Sequence, residues 1–122
     1  MKPRPPTMRG KRRYILVRMD PPGLDLDGRE LYYAVSESLT DIFGDAGVAR
    51  IQPSVVSCGE GYAIIRCTRS AEDQVIAGLA TVAYIRERKV AIRSILTSGT
   101  LRSLRQHLDT LRDGQSFPER DV

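Results

Sequence analysis

The sequence predicts an α+β fold, a four-stranded antiparallel sheet with two helices on one face and a further C-terminal helix over part of the other. Three observations predict it. Apolar patterning alternates between the strand period and the helix period in the order strand, helix, strand, strand, helix, strand, helix. Two of the strands are apolar on both faces: Ile15, Val17 and Met19 back onto Leu16, and Ala63, Ile65 and Cys67 back onto Ile64. The last helix carries Leu101, Leu104, Leu108 and Leu111 on one side, a stripe suited to covering Leu16 and Ile64.

Taken in order, residues 13–19 form the first strand, and Asp20-Pro21-Pro22-Gly23 ends it. Asp27 and Glu30 have capping-box spacing, and Leu31, Val35, Leu39 and Ile42 then recur on one helical face until Gly44 and Gly47 close the helix. Residues 48–56 are β-rich but contain Pro53, which places this strand at an edge. Gly59-Glu60-Gly61 is a hairpin turn into a strand over residues 62–68. Ser70 with Asp73 caps a second helix with Val75, Ile76, Leu79 and Val82 on its apolar face. Residues 89–96 form the fourth strand, and Ser98-Gly99-Thr100 opens the last helix. The strand and helix order is that of a ferredoxin-like, or RRM-like, βαββαβ unit with an additional C-terminal helix.

Charge divides the chain unevenly. Its 122 residues carry 19 Lys+Arg against 15 Asp+Glu, a formal net charge of +4. Seven of the basic residues, Lys2, Arg4, Arg9, Lys11, Arg12, Arg13 and Arg18, lie within the first nineteen positions, where no acidic residue occurs. Without them 12 basic residues face 15 acidic ones. We therefore expect a Pro-rich basic arm over residues 1–12, one domain over 13–112 and a flexible tail over 113–122. Such an arm suits a phosphate backbone, where it releases condensed counterions. With no apolar run long enough for a membrane span and no signal-like start, a soluble cytoplasmic protein with no membrane partner is expected.

Catalytic material is sparse. His107, the only histidine, sits on a Leu- and Arg-rich helix and reads as a flank residue. Asp25 and Asp27 read as loop and cap, and Cys58 and Cys67 as reduced strand residues without metal-ligand spacing. Base stacking on the sheet has only Tyr14 and Tyr62 to draw on. An electrostatic RNA surface is better supplied: the arm, Arg66, Arg69 and Arg93 on or after strands, Arg86, Arg88 and Lys89 leading into the fourth strand, and Arg102, Arg105 and Arg112 on the last helix. Ser98, Gly99 and Thr100 add backbone N–H groups at a helix start, where the dipole favours a phosphate, although an N-cap alone also explains them. Arg18, Arg66 and Arg93 on neighbouring strands suit either RNA or structural ion pairs with carboxylates.

Three segments together resemble the archaeal ribonuclease P protein component 2 family: Lys2-Pro3-Arg4-Pro5-Pro6-Thr7-Met8-Arg9 with Lys11-Arg12-Arg13-Tyr14-Ile15, then Gly61 with Ile64-Ile65-Arg66-Cys67, then residues 90–101 from Val90 through Ser98-Gly99-Thr100-Leu101. The resemblance spans about residues 2–112, with residues 20–47 matching in pattern only. It implies a non-catalytic subunit of the ribonucleoprotein that removes 5′ leaders from precursor tRNA. The RNA subunit there performs the Mg²⁺-dependent hydrolysis, so no protein active site and no cofactor held by this chain are expected. It also implies an RRM-like sandwich, ribonuclease P RNA as partner with indirect contact to precursor tRNA, a TIM-barrel-like protein subunit, and a homodimer within a heterotetramer. RNA contact through Lys2, Arg4, Arg9, Lys11, Arg12 and Arg13, with Arg66, Arg93, Ser98, Gly99, Thr100 and Arg102, is our inference from charge and motif position. Residues 1–13 are expected to be removable without unfolding the domain. The same fold also serves small-ligand regulatory domains and structural adaptors, so fold alone leaves these readings open.

Overall fold

A computed structural model describes residues 12–24 and 26–114. Its elements are β1 (Arg12–Asp20), α1 (Gly28–Ile51), β2 (Ser54–Gly59), β3 (Tyr62–Thr68), α2 (Glu72–Ala80), a small hairpin of β4 (Tyr84–Ile85) and β5 (Arg88–Lys89), β6 (Ala91–Ser98) and α3 (Leu101–Gly114). The main sheet has the order β2-β3-β1-β6, antiparallel throughout, so the Pro53-preceded strand is at an edge as expected. Glu60 and Gly61, both at positive φ (55° and 88°), make the two-residue turn between β2 and β3.

The two faces separate as the alternation dictates. Ile15, Val17, Met19, Ala63, Ile65 and Cys67 bury against Leu31, Val35 and Leu39 of α1 and Val75 and Leu79 of α2. Leu16 and Ile64 form a second buried cluster with Leu104 and Leu108 of α3. Leu16 and Ile64 are partners across β1 and β3, so one leucine stripe seals both strands at once. Helices α1 and α2 pack closely, for a Cβ added at Gly78 would come within 2.5 Å of Leu39 Cδ2.

Four boundaries differ from the sequence reading. Gly44 (φ 77°, ψ 172°) does break α1, but helix resumes and runs to Ile51. Val48 is half-buried and Ile51 buried, so helical spacing there serves the core better than a strand would. Gln52 then closes the helix in the left-handed region, its N–H donating to the Val48 carbonyl at 2.8 Å, and the strand starts only at Ser54. Ile42, just before the break, stays 44% exposed, and Phe43 packs on the core instead. The cap of α2 falls on Ala71, not Ser70. The Ala71 N–H donates to the Thr68 carbonyl at 3.0 Å, and burial of Ala71 in that tight turn leaves Ser70 outside it at φ 79°. Finally, residues 84–89 form the extra hairpin, so the fourth sheet strand is Ala91–Ser98.

The register gives the sheet two distinct ends. Arg12 faces Thr68 and Tyr14 faces Ser98, so the starts of β1, α2 and α3 meet at one end. Asp20 faces Ala91, so the start of α1 and the β4–β5 hairpin lie at the other.

Candidate nucleic-acid interface

Of the basic residues singled out above, Lys2, Arg4, Arg9 and Lys11 lie outside the described residues, as does Asp25. Arg12 is exposed at the first position of β1. Arg13 is a strand residue, as the sequence reading has it, and β1 takes in Arg12 as well, so removing residues 1–13 would also remove the Arg12–Thr68 and Arg13–Cys67 pairs. The Arg13 side chain reaches α2, with Nε 2.7 Å from Glu72 Oε2. That N–H is not aimed for a hydrogen bond, so the contact is an ion pair, partly shielded from water. The same guanidinium lies against Gly99, where a Cβ would sit 3.7 Å from Nη1. Arg13 thus braces the root of the arm, the first turn of α2 and the Ser98-Gly99-Thr100 segment against one another.

Across the second face, Arg66, Tyr14 and Ser98 stand in one row of β3, β1 and β6. Arg66 is half-buried, and its Nε is shielded without a hydrogen-bond partner. Ser98 Oγ accepts from the Thr100 N–H at 3.2 Å, and Thr100 Oγ1 accepts from the Ser103 N–H at 3.3 Å, which is an N-cap built by side chains. Arg102 is exposed in the first turn of α3, a turn with no acidic residue to offset the helix dipole. Arg12, Arg13, Arg66, Ser98, Gly99, Thr100 and Arg102 therefore gather at one end of the molecule.

Arg93 does not join them. It is exposed on β6 opposite Arg18, four positions along β1 from Tyr14 and about 13 Å away by strand rise, with α3 packed on the face between. Arg18 is itself held, its Nε 3.3 Å from Asp20 Oδ1. Tyr14 and Tyr62 pack against the Leu16–Leu104 cluster, so the sheet offers no open aromatic platform for bases. The coupling of Arg13 to Glu72 was invisible in the sequence, because only the β1–β3–α2 path brings two such distant positions together.

His107 is exposed on α3. Both cysteines are free thiols. Burial, with Glu72 adding to it and Arg13 opposing it, pushes the Cys67 thiol up to about 11. Burial also raises Cys58, helped by Asp27 and Glu30, and its thiol donates to the Leu26 carbonyl at 3.5 Å. Among the described residues no three His, Cys, Asp or Glu side chains meet in a group fit for a metal ion, and no helix is long and apolar enough to cross a membrane.

Fold and charge define a class: a small antiparallel α/β sandwich, closed on its second face by a helix, with guanidinium groups collected where the arm leaves the sheet. Within that class the chain belongs to the Rpp14/Pop5 family, whose pattern matches residues 13–108. It is 43% identical over 112 residues to ribonuclease P protein component 2 of Methanoculleus marisnigri, covering 92% of this chain and 70% of that protein. To the component 2 protein of Methanosphaerula palustris it is 40% identical over 99% of this chain and 74% of the other, and to that of Archaeoglobus fulgidus 32% over 89% and 99%. A chain in the cryo-EM structure of yeast ribonuclease MRP shares the fold, with a TM-score of 0.62 at 14% identity over 88% of this chain and 92% of that one.

Proposed function

We propose that this chain is a protein subunit of ribonuclease P. The observation that carries the reading is the 43% identity to ribonuclease P protein component 2 over 92% of the chain. The chemistry agrees with a supporting role: among the described residues Arg12, Arg13, Arg66 and Arg102 collect around the start of α3 and the first residues of β1. In this reading the RNA subunit carries out the Mg²⁺-dependent cleavage of precursor tRNA, and this chain stabilises the RNA core. Lys2, Arg4, Arg9, Lys11 and Arg12 neutralise closely packed phosphates. Arg66, Arg102 and the Ser98-Gly99-Thr100 turn receive a phosphate at the start of α3. Arg13, engaged with Glu72, positions that turn more than it touches RNA. Arg93 belongs to a second, separate contact area. Partners in the particle are the ribonuclease P RNA, a TIM-barrel-like protein subunit and a second copy of this chain, and precursor tRNA is met indirectly.

The test is to isolate the tagged chain from its native cells and incubate the eluate with end-labelled precursor tRNA and Mg²⁺. Correct removal of the 5′ leader, abolished by prior digestion of the eluate's RNA, is the expected result. An eluate holding intact partners but no such activity refutes the proposal.

A further inference from the structure

The two most exposed large hydrophobic residues among those described, Tyr33 (63%) and Tyr84 (61%), line one groove. It holds about 370 Å³ and runs between the N-terminal turns of α1 and the β4–β5 hairpin. The hairpin's tip residues Arg86 and Glu87 sit at φ 53° and 69°, the pair of positive values that a two-residue hairpin turn of this kind requires. Arg86 Nε lies 2.6 Å from Glu30 Oε2, and Arg88 Nη2 lies 4.0 Å from Glu30 Oε1, so Glu30 ties the tip to α1. With both arginines counted, Asp27, Glu30, Glu37 and Asp41 (exposed one turn beyond the groove) stand against Arg29, Arg86 and Arg88, an excess of one carboxylate.

We propose that this groove seats a protein partner through a Lys or Arg side chain set in an aliphatic surface. Two tyrosine rings beside carboxylates attract a cation by its charge and by the ring faces together, and tyrosine is a favoured anchor at protein interfaces. The other occupants fit less well. Phosphates are repelled by Glu37 and Asp41. The chain's own arm is rooted at Arg12, at the far end of the sheet. The proposal rests on the reading that the chain works within a multi-subunit particle, and it gives that molecule two working ends, RNA at one and protein at the other.

The test uses thiol accessibility in a Cys58→Ser background, with buried Cys67 left in place. Thr40→Cys sits two turns along α1 from Tyr33, and Arg105→Cys on α3 serves as the control. Maleimide labelling is followed in the free chain, in the particle isolated from native cells, and in that particle after RNA digestion. We expect Thr40→Cys to label freely in the free chain and roughly tenfold more slowly in the particle, with protection surviving RNA digestion. A cross-linker attached at position 40 should then join an identified subunit of the particle at a Lys- or Arg-bearing segment. Glu37→Lys or Tyr84→Ala should weaken retention of that subunit by roughly tenfold or more, the loss typical of an anchor residue, with unfolding curves close to the parent's. The proposal is overturned if Thr40→Cys stays reactive in the particle, or if its protection vanishes with the RNA. It is equally overturned if the cross-link joins a second copy, or if the free chain is protected until residues 1–11 are deleted. Precursor tRNA cleavage, assayed in the same eluate, reports on ribonuclease P membership separately from any of these outcomes.

Discussion

Glu30 shows how one side chain links local helix chemistry to tertiary structure. Its Oε1 accepts from the Asp27 N–H at 3.2 Å while Asp27 Oδ1 accepts from the Glu30 N–H at 2.8 Å, a complete capping box. Its second oxygen holds Arg86, whose side chain is 73% exposed, so solvent screens that pair down to a few tenths of a kcal/mol. Glu30→Ala should therefore cost about 0.5–1 kcal/mol, mostly through the lost bond to the Asp27 N–H, because Asp27 still caps the N–H of residue 30. Glu30→Gln, which keeps the box, should cost less than half of that, and urea denaturation distinguishes the two. Cys67 supplies a pH signature. Its thiol, raised from 9.0 to about 11 by burial, stays protonated in the fold after the unfolded chain has lost its proton. Unfolding then releases a proton, so stability should fall as pH rises from about 9 to 11 and be insensitive to this group below that window. Other groups titrate there too, so the measurement is the difference between parent and Cys67→Ala, whose stability should decline less steeply over the same range.

At the scale of elements, α3 determines what the second face of the sheet can do. Leu16, Ile64 and Leu104 are fully buried together, and Leu108 nearly so. Leu104→Ala should destabilise by about 2–4 kcal/mol, the usual range for a leucine removed from a core that relaxes only in part. If denaturation shows less than about 0.5 kcal/mol, α3 is not docked in solution and the sheet face is open. The leucine stripe and the double-sided apolar strands were both legible in the sequence, and together they placed α3 correctly. The two turns of helix after Gly44 were not legible. A β-rich composition pointed to strand there, and packing of Val48 and Ile51 onto the core as part of α1 outweighed it.

For the whole molecule the governing feature is its polarity. Arg12, Arg66, Arg102 and the start of α3 share one end, and the Glu30-braced groove occupies the other. Because Arg12 and Arg13 belong to β1, the informative truncation removes residues 1–11 and with them Lys2, Arg4, Arg9 and Lys11. Losing those cations should make the logarithmic salt dependence of RNA binding shallower by roughly 3, at 0.7–0.9 per phosphate contact. The unfolding midpoint should stay close to the parent's. Filter binding between 50 and 300 mM salt is the check, and an unchanged slope refutes the role proposed for the arm.

The order of the main-sheet strands and the three helices, the two faces of the sheet, the capping box at Asp27 and the basic bias of the N-terminus follow from the sequence itself, because each depends on spacing within a few residues or on counting charges. Which arginines act together did not. Arg66 and Arg93 lie on strands that look equivalent in the sequence, and only the pairing register sets them at opposite ends of the face. Arg13 became a brace through a carboxylate on a distant helix. The groove at Tyr33 and Tyr84 exists because a six-residue stretch folds into a hairpin against α1. Local propensity governs what a segment becomes, while register and packing, which join residues far apart in the chain, govern what its side chains meet.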